Sequence, residues 1–304
     1  MRRFWPLLLF IIIFAVIVIK PDYQDDNASK LTNTSPQRII SLSPSITETA
    51  FALGLDNKII AVTDYCDYPD AANNLPKVGG FINPNLEAIV GLEPDLVILL
   101  NEHQKIVEQL HQLNIPTLAV KNNTLSGIQN SIKQIGQRTG HQQQAQQLLS
   151  TIQDNIDYIQ QQTAGLPQPK VMLAMGHSIG DNQMSSVYIA GKNDFYDDLI
   201  SLAGGQNVYQ DNRLKVPSIS AEGILKLNPD IILDIFPESD DHDYDLESVK
   251  TQWQSLDLVD AVKQNQVHII EQDYATIPGP RIFLLLEDMA KIIHPEIDWQ
   301  EKGL

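Results

Sequence analysis

The sequence predicts an α/β protein of two lobes, each a mostly parallel sheet flanked by helices, joined by a long, rigid α-helix. Three observations point there. The phrase Glu-x-Ile-x-x-Leu-x-Pro-Asp followed by three branched aliphatics occurs twice, as Glu87-Ala-Ile-Val-Gly-Leu-Glu-Pro-Asp-Leu-Val-Ile98 and Glu222-Gly-Ile-Leu-Lys-Leu-Asn-Pro-Asp-Ile-Ile-Leu233. In each copy Ile and Leu recur at helical spacing, Pro-Asp stops the helix, and a buried strand follows. Short aliphatic strands alternate with helical stretches in both halves, the pattern of a parallel sheet. Between the halves, a long stretch is almost free of turn signals.

The elements follow in order. Arg2 and Arg3 precede an apolar run from Phe4 to Ile19, so residues 1–20 read as an export signal or an uncleaved N-terminal anchor. Residues 21–37 are a polar linker rich in Asp, Asn, Ser and Thr. The first lobe, 38–124, opens with a strand over 38–42 and a helix through Leu53. Ser45 and Glu48 have the spacing of a capping box, with Ser45 as N-cap. A strand over 59–62 leads into a loop from Thr63 to Pro84 whose length suggests function. The first repeat copy follows, then a helix over 104–113 and a strand over 116–120. Residues 125–166 form the connecting strut, broken only around Gly136 to Gly140. Ala145, Leu148, Leu149, Ile152, Ile156 and Ile159 make its apolar stripe. The second lobe, 167–299, has a strand over 170–174, a helix over 194–203, the second repeat copy, a helix over 246–256, a strand over 266–270 and a last helix over 281–293.

Composition excludes several functions. With 304 residues the chain is long enough for two buried cores, and 43% hydrophobic content fits a folded protein. A formal charge of −17 lacks the clustered Lys and Arg that phosphate backbones require. Cys66 is the single cysteine, which rules out intrachain disulfides and multi-cysteine metal sites, and it reads as a small buried hydrophobe. No P-loop, dinucleotide-binding or zincin motif is present. The acidic run from Glu238 to Asp245 lacks the glycine and terminal glutamate of a calcium loop and reads as surface.

Several segments together carry a resemblance. Ile40-Ser-Leu-Ser-Pro-Ser-Ile-Thr-Glu48, Asp64-Tyr-Cys-Asp-Tyr-Pro69, Gly279-Pro-Arg281 and both repeat copies match, in order and spacing, the class III substrate-binding proteins of ABC importers. The chain resembles the cobalamin- and ferric-siderophore-binding branch over about residues 38–299. The resemblance implies a monomeric periplasmic protein with no catalytic residue, metal site or cofactor of its own. It would bind its ligand between the lobes and hand it to a permease dimer driven by ATPase subunits. Glu87 and Glu222 would dock on arginines of the two permease subunits, as helix-terminal carboxylates suited to bidentate pairing.

Open α/β sheets bind at the carboxyl ends of their strands. The ligand-facing candidates are therefore Pro44, Ser45, Tyr65, Phe81, Leu100 and Asn101 in the first lobe. In the second they are Gly176, His177, Tyr188, Val216, Pro217, Asp273, Tyr274 and Arg281. His177 would ligate a metal in the cargo or donate a hydrogen bond, and Asp273 is a candidate partner for Arg281. Such walls suit a large, partly apolar ligand, and a corrinoid is the first expectation, with a ferric siderophore or heme as alternatives. Phe81, Leu100, Val216 and Tyr274 stand where the cobalamin-binding pattern has tryptophans. A glycosidase pair built from Glu87 and Glu222 and a site for free zinc or manganese are rival readings. Equivalent helix starts on separate lobes do not converge on one bond, and the seven histidines are scattered.

Overall fold

The computed structural model describes residues 35–177, 184–236 and 246–299. The apolar N-terminal segment, most of the polar linker and the acidic run from Glu238 to Asp245 lie outside the described residues. Among the described residues no helix is long and apolar enough to cross a membrane.

The first sheet has four parallel strands in the order β2-β1-β3-β4. These are β1 (Ile39–Ser41), β2 (Ile59–Val62), β3 (Leu96–Leu100) and β4 (Thr117–Val120). Helices α1 (Pro44–Ala52), α2 (Leu86–Gly91) and α3 (Gln104–Gln112) connect them. After α4 (Leu125–Thr139) and α5 (Gln142–Thr163), the second sheet begins. It contains β5 (Lys170–His177), β6 (Ser186–Ile189), β7 (Gln206–Asn207), β8 (Ser218–Ser220), β9 (Ile231–Ile235) and β10 (Val267–Ile270). Its helices are α6 (Phe195–Leu202), α7 (Ala221–Leu227), α8 (Leu246–Gln254), α9 (Asp260–Lys263) and α10 (Ile282–Ile293). This sheet is mixed: β10, β9, β5 and β7 are parallel, whereas β6 pairs antiparallel with β5 and β8. The sequence reading assigns no strand to β6, β7 or β8, because segments this short carry too little alternation to register.

The repeated phrase builds the same joint in both lobes. Asn85 and Ser220 cap α2 and α7, accepting from Ala88 N at 3.1 Å and Gly223 N at 3.3 Å. A left-handed residue turns the chain out of each helix just before Pro-Asp, Glu93 (φ 47°) after α2 and Asn228 (φ 43°) after α7. The aspartates then clamp the start of a neighbouring strand. Asp95 accepts from Gln37 N at 2.8 Å and Arg38 N at 2.9 Å, and Asp230 accepts from Lys170 N at 2.7 Å. Their own amides donate to the carbonyls of Arg38 and Lys170. The basic side chains of Arg38 and Lys170 close the joint, donating to Glu93 O at 3.1 Å and Asn228 O at 2.6 Å. Pro-Asp therefore does more than stop a helix; it sets the helix against the strand beside it.

Side-chain alternation sorts the interior into three layers. Leu96 and Ile98 of β3 face a central core, whereas Val97 and Leu99 face an outer one. In β5, Val171 and Leu173 face the central core and Met172 and Ala174 the opposite outer layer. The central core is continuous from Ile39 through Ile132 and Ile152 to Leu233 and Leu286. The two sheets thus share one apolar interior instead of meeting across a wet gap.

The expected connecting segment is a helical hairpin. Gly140, in the left-handed region at φ 79°, ends α4, and α5 folds back along it. Gly136 lies against Ala145 near the turn, and Gln129 and Asp154 share a groove away from it. A Cβ at Gly136 would lie 2.5 Å from the Ala145 Cβ, so the close approach requires glycine. Only α5, with 22 residues and a length of about 33 Å, runs on toward the second sheet. Ala145, Ile152, Ile156 and Ile159 are its buried residues on the stripe, with Leu148 and Leu149 packed at the margin.

A buried ion pair bolts α1 to the start of α10. Arg281 donates from Nε to Glu48 Oε2 at 3.0 Å and from Nη2 to Glu48 Oε1 at 2.6 Å. A second fork reaches Asp273 at 2.9 and 2.7 Å. The guanidinium lies 3.8 Å from the Tyr68 ring centre and 5.5 Å from that of Tyr274. Tyr274 in turn donates to Asp288 at 2.6 Å. Glu48 is 3% exposed, and that burial holds its carboxyl above the ordinary range despite the opposing pull of Arg281. The capping box expected of Ser45 and Glu48 does not form. Pro44 at the first helical position makes Ser43 the N-cap, and Glu48 turns to Arg281 instead.

Gly136→Ala is expected to lose about 1–3 kcal/mol of stability, read as a lower urea midpoint; an unchanged midpoint would refute the close helix approach. Arg281→Ala leaves Glu48 buried without its cation and should lose about 3–5 kcal/mol at neutral pH. Because the Glu48 pKa is raised on folding, its protonated form contributes stability that is full below 4.5 and is lost as pH rises through the raised value. The variant's deficit should therefore shrink between pH 7 and pH 5, and should be smaller in Arg281→Ala/Glu48→Gln. A pH-independent deficit would exclude this account.

Candidate functional site

A cavity of about 760 Å³ opens at the carboxyl ends of β1, β2 and β3, where open sheets bind ligands. Ser43, Pro44 and Ser45 form one wall, at the tight passage from β1 into α1. Asp64 and Tyr65 follow β2, and Leu100 ends β3. The segment from Gly79 to Asn83 forms a second wall, and Thr276, Ile277 and Pro278, just ahead of α10, form the third.

Each wall has a local cause. Asp64 N donates to Gly79 O at 3.0 Å and Asn85 N to Val78 O at 2.7 Å, which pinches the chain into a tight loop. Gly79 adopts φ 88°, and a Cβ there would meet Asn85 N at 3.0 Å. Phe81 is thereby held over the cavity, packed edge-on against His103 with ring centres 4.7 Å apart. Below the loop, Cys66 is buried and takes part in hydrogen bonds with Thr47 at 3.2 Å and Thr63 at 3.1 Å. That matches a small buried residue.

Asn122, 4% exposed, joins two walls. Its Nδ2 donates to Ser45 Oγ at 3.0 Å and to Pro278 O at 3.1 Å, while Ser131 donates to its Oδ1 at 2.5 Å. Gly279 completes the contact, since a Cβ there would lie 3.3 Å from Ser45 Cα. The Oδ1 atoms of Asn101 and Asn123, in the loops after β3 and β4, are buried without a hydrogen-bond partner, as is His103 Nδ1. Each such group costs about 1–3 kcal/mol while unpaired.

The expected residues divide. Pro44, Ser45, Tyr65, Phe81 and Leu100 line the cavity together. Asp273, Tyr274 and Arg281 do not; they are engaged in the bolt, because two carboxylates hold Arg281 more strongly than an apolar wall would. Tyr188 on β6 and Val216 are 54% and 46% exposed and stand apart from the cavity lining, while Pro217 is buried. The backbone of His177 ends β5 opposite Val187, and its side chain lies outside the described residues. Gly176 has φ 132°. Glu87 and Glu222 are exposed in the first turns of α2 and α7, away from the cavity.

Asp64, Ile82, Asn83, Thr276, Ile277 and Pro278 also line the cavity, though the sequence reading singled out none of them. Two signals pointed their way. The loop from Thr63 to Pro84 is long, and Ile277-Pro278 abuts the Gly279-Pro-Arg281 motif. Ile82, 82% exposed at the rim, carries no sequence signal at all.

Known proteins supply the context. The vitamin B12-binding protein of Pectobacterium carotovorum is 30% identical over 256 residues, covering 84% of this chain and 87% of that protein. The ABC transporter substrate-binding lipoprotein YvrC of Bacillus subtilis is 28% identical over 289 residues, covering 93% and 87%. Among solved structures, heme-bound IsdE of Staphylococcus aureus aligns with a TM-score of 0.68 and 25% identity, covering 84% of this chain and 98% of that one. These relatives bind solutes and are not described as enzymes. A family model described as periplasmic binding protein matches residues 39–274, most of the chain, and the chain belongs to that family.

Proposed function

We propose that this protein is the substrate-binding component of an ABC importer and that its cargo is a corrinoid. It works outside the cytoplasm, exported by its apolar N-terminal segment, and has no chemistry of its own. The observation that carries the reading is the cavity itself. Its volume suits a ring-sized molecule, and Pro44, Tyr65, Phe81, Ile82, Leu100, Ile277 and Pro278 give it mostly apolar walls. Tyr65 and Phe81 supply aromatic faces for a flat macrocycle. The vitamin B12-binding relative supports a corrinoid. The heme-bound neighbour makes heme the second reading, with a ferric siderophore behind it.

The shared apolar core and the Arg281 bolt leave room for only a modest closing motion, so the cavity is largely formed before the cargo arrives. Exposed Tyr188 and Val216 on the second lobe are available to cover the cargo. Glu87 and Glu222 occupy equivalent positions in equivalent joints, which suits a permease of two similar subunits.

Titration calorimetry with cyanocobalamin, cobinamide, heme and a ferric siderophore should find micromolar or tighter binding of a corrinoid. Tyr65→Ala and Phe81→Ala should each weaken it about tenfold. Failure of every probe at micromolar concentration would refute the cargo. The variant Glu87→Ala/Glu222→Ala should keep cargo affinity but abolish uptake in cells carrying the importer; undiminished uptake would refute the docking role.

A further inference from the structure

The cavity wall carries charge of one sign. Among the described residues that line it, Asp64 is the single acidic side chain, and none is Lys, Arg or His. Two cations close to the wall are already engaged. Arg281 is held by Glu48 and Asp273, and Lys77 donates to Cys66 O at 3.0 Å beside Asp67. His103 lies against Phe81 and is not part of the lining. Residues 178–183 and 237–245 contain no Lys or Arg in the sequence.

A carboxylate entering this site would leave water without meeting a cation among the described lining residues, and would do so beside Asp64. Both effects are unfavourable, and they grow as water is excluded. An amide carries no charge, and its N–H groups can be received by acceptor oxygens. We infer that the cavity selects for the periphery of its cargo: uncharged or cationic macrocycles bearing amides are admitted, carboxylate-bearing ones are rejected, and Asp64 sets the rejection. This rests on the importer reading above and names the chemical class of its cargo. Discrimination by repulsion is the economical device here, since apolar ring surface looks alike in both classes.

The test uses two matched pairs with the purified protein: cobyrinic acid against its amide, and iron protoporphyrin against its dimethyl ester. In whichever pair binds, the carboxylate-free member should bind at least about tenfold tighter. Asp64→Lys, at an exposed position whose role in the loop is carried by its backbone amide, should keep the unfolding midpoint and shrink or reverse that ratio. Raising the salt concentration should narrow the ratio in the wild type as well. Equal affinities within a pair, or a ratio that Asp64→Lys leaves unchanged, would overturn the inference. If only the porphyrin pair bound, with the ester ahead, the corrinoid assignment would fall and the selection rule would stand. If no probe bound at all, both would fall.

Discussion

Arg281 holds the molecule's geometry together. One planar guanidinium pairs with Glu48 from the first lobe and Asp273 from the second, and lies against the rings of Tyr68 and Tyr274. The cost of desolvating these charges is met by two forks of hydrogen bonds, which satisfy most of the donors the guanidinium offers. Because Glu48 lies in α1 and Arg281 begins α10, the bolt fixes the distance between the Ser43–Ser45 wall and the Thr276–Pro278 wall of the cavity. Asn122 repeats that linkage with neutral groups a few residues away. The site is thus held by polar contacts running alongside the continuous apolar core.

The division of labour between repeated and unrepeated sequence follows from this. The twin phrases form the twin joints, in which an aspartate clamps the first strand of its lobe and a basic side chain seals the helix end. Such joints are rigid and indifferent to cargo. The cavity is made instead from segments that differ between the lobes: the turn into α1, the Gly79–Asn83 loop and the passage into α10. Scaffold and specificity can therefore vary separately, as expected when binding residues sit on loops held by a rigid frame.

The polar character of the site fits the same frame. Apart from Asp64, Asn83 and Thr276, the wall is built from glycine, proline, serine and hydrophobic side chains, and the nearby Arg281 is engaged in holding the lobes together. Arg281 cannot serve both as a bolt and as a counter-charge for a bound acid. The cationic group that would have welcomed carboxylates is the one the fold needs elsewhere.

How much of this was legible in the sequence depends on the range of the signal. Helix and strand periodicity is local, so β1 to β5, β9, β10 and the helices between them, short α9 apart, could be read from aliphatic spacing, and the duplicated phrase announced two lobes. The long Thr63–Pro84 loop, and Tyr65 and Phe81 within it, were visible because an aromatic residue in a polar loop is conspicuous. Contacts between residues far apart were not. Glu48 looked like half of a capping box until Pro44 moved the helix start and brought it to Arg281, 233 residues away. The α4–α5 segment read as a strut, because a sequence gives the length of a helix but not the direction of the next; the left-handed Gly140 and the close contact at Gly136 decided that. The sequence by itself determined most of the elements, the two lobes and the family, since these follow from local pattern and repeated phrase. Only the tertiary structure decided which carboxylates hold Arg281, which loops enclose the cavity and that its described lining has no cation, because these are pairings across space that no local periodicity encodes.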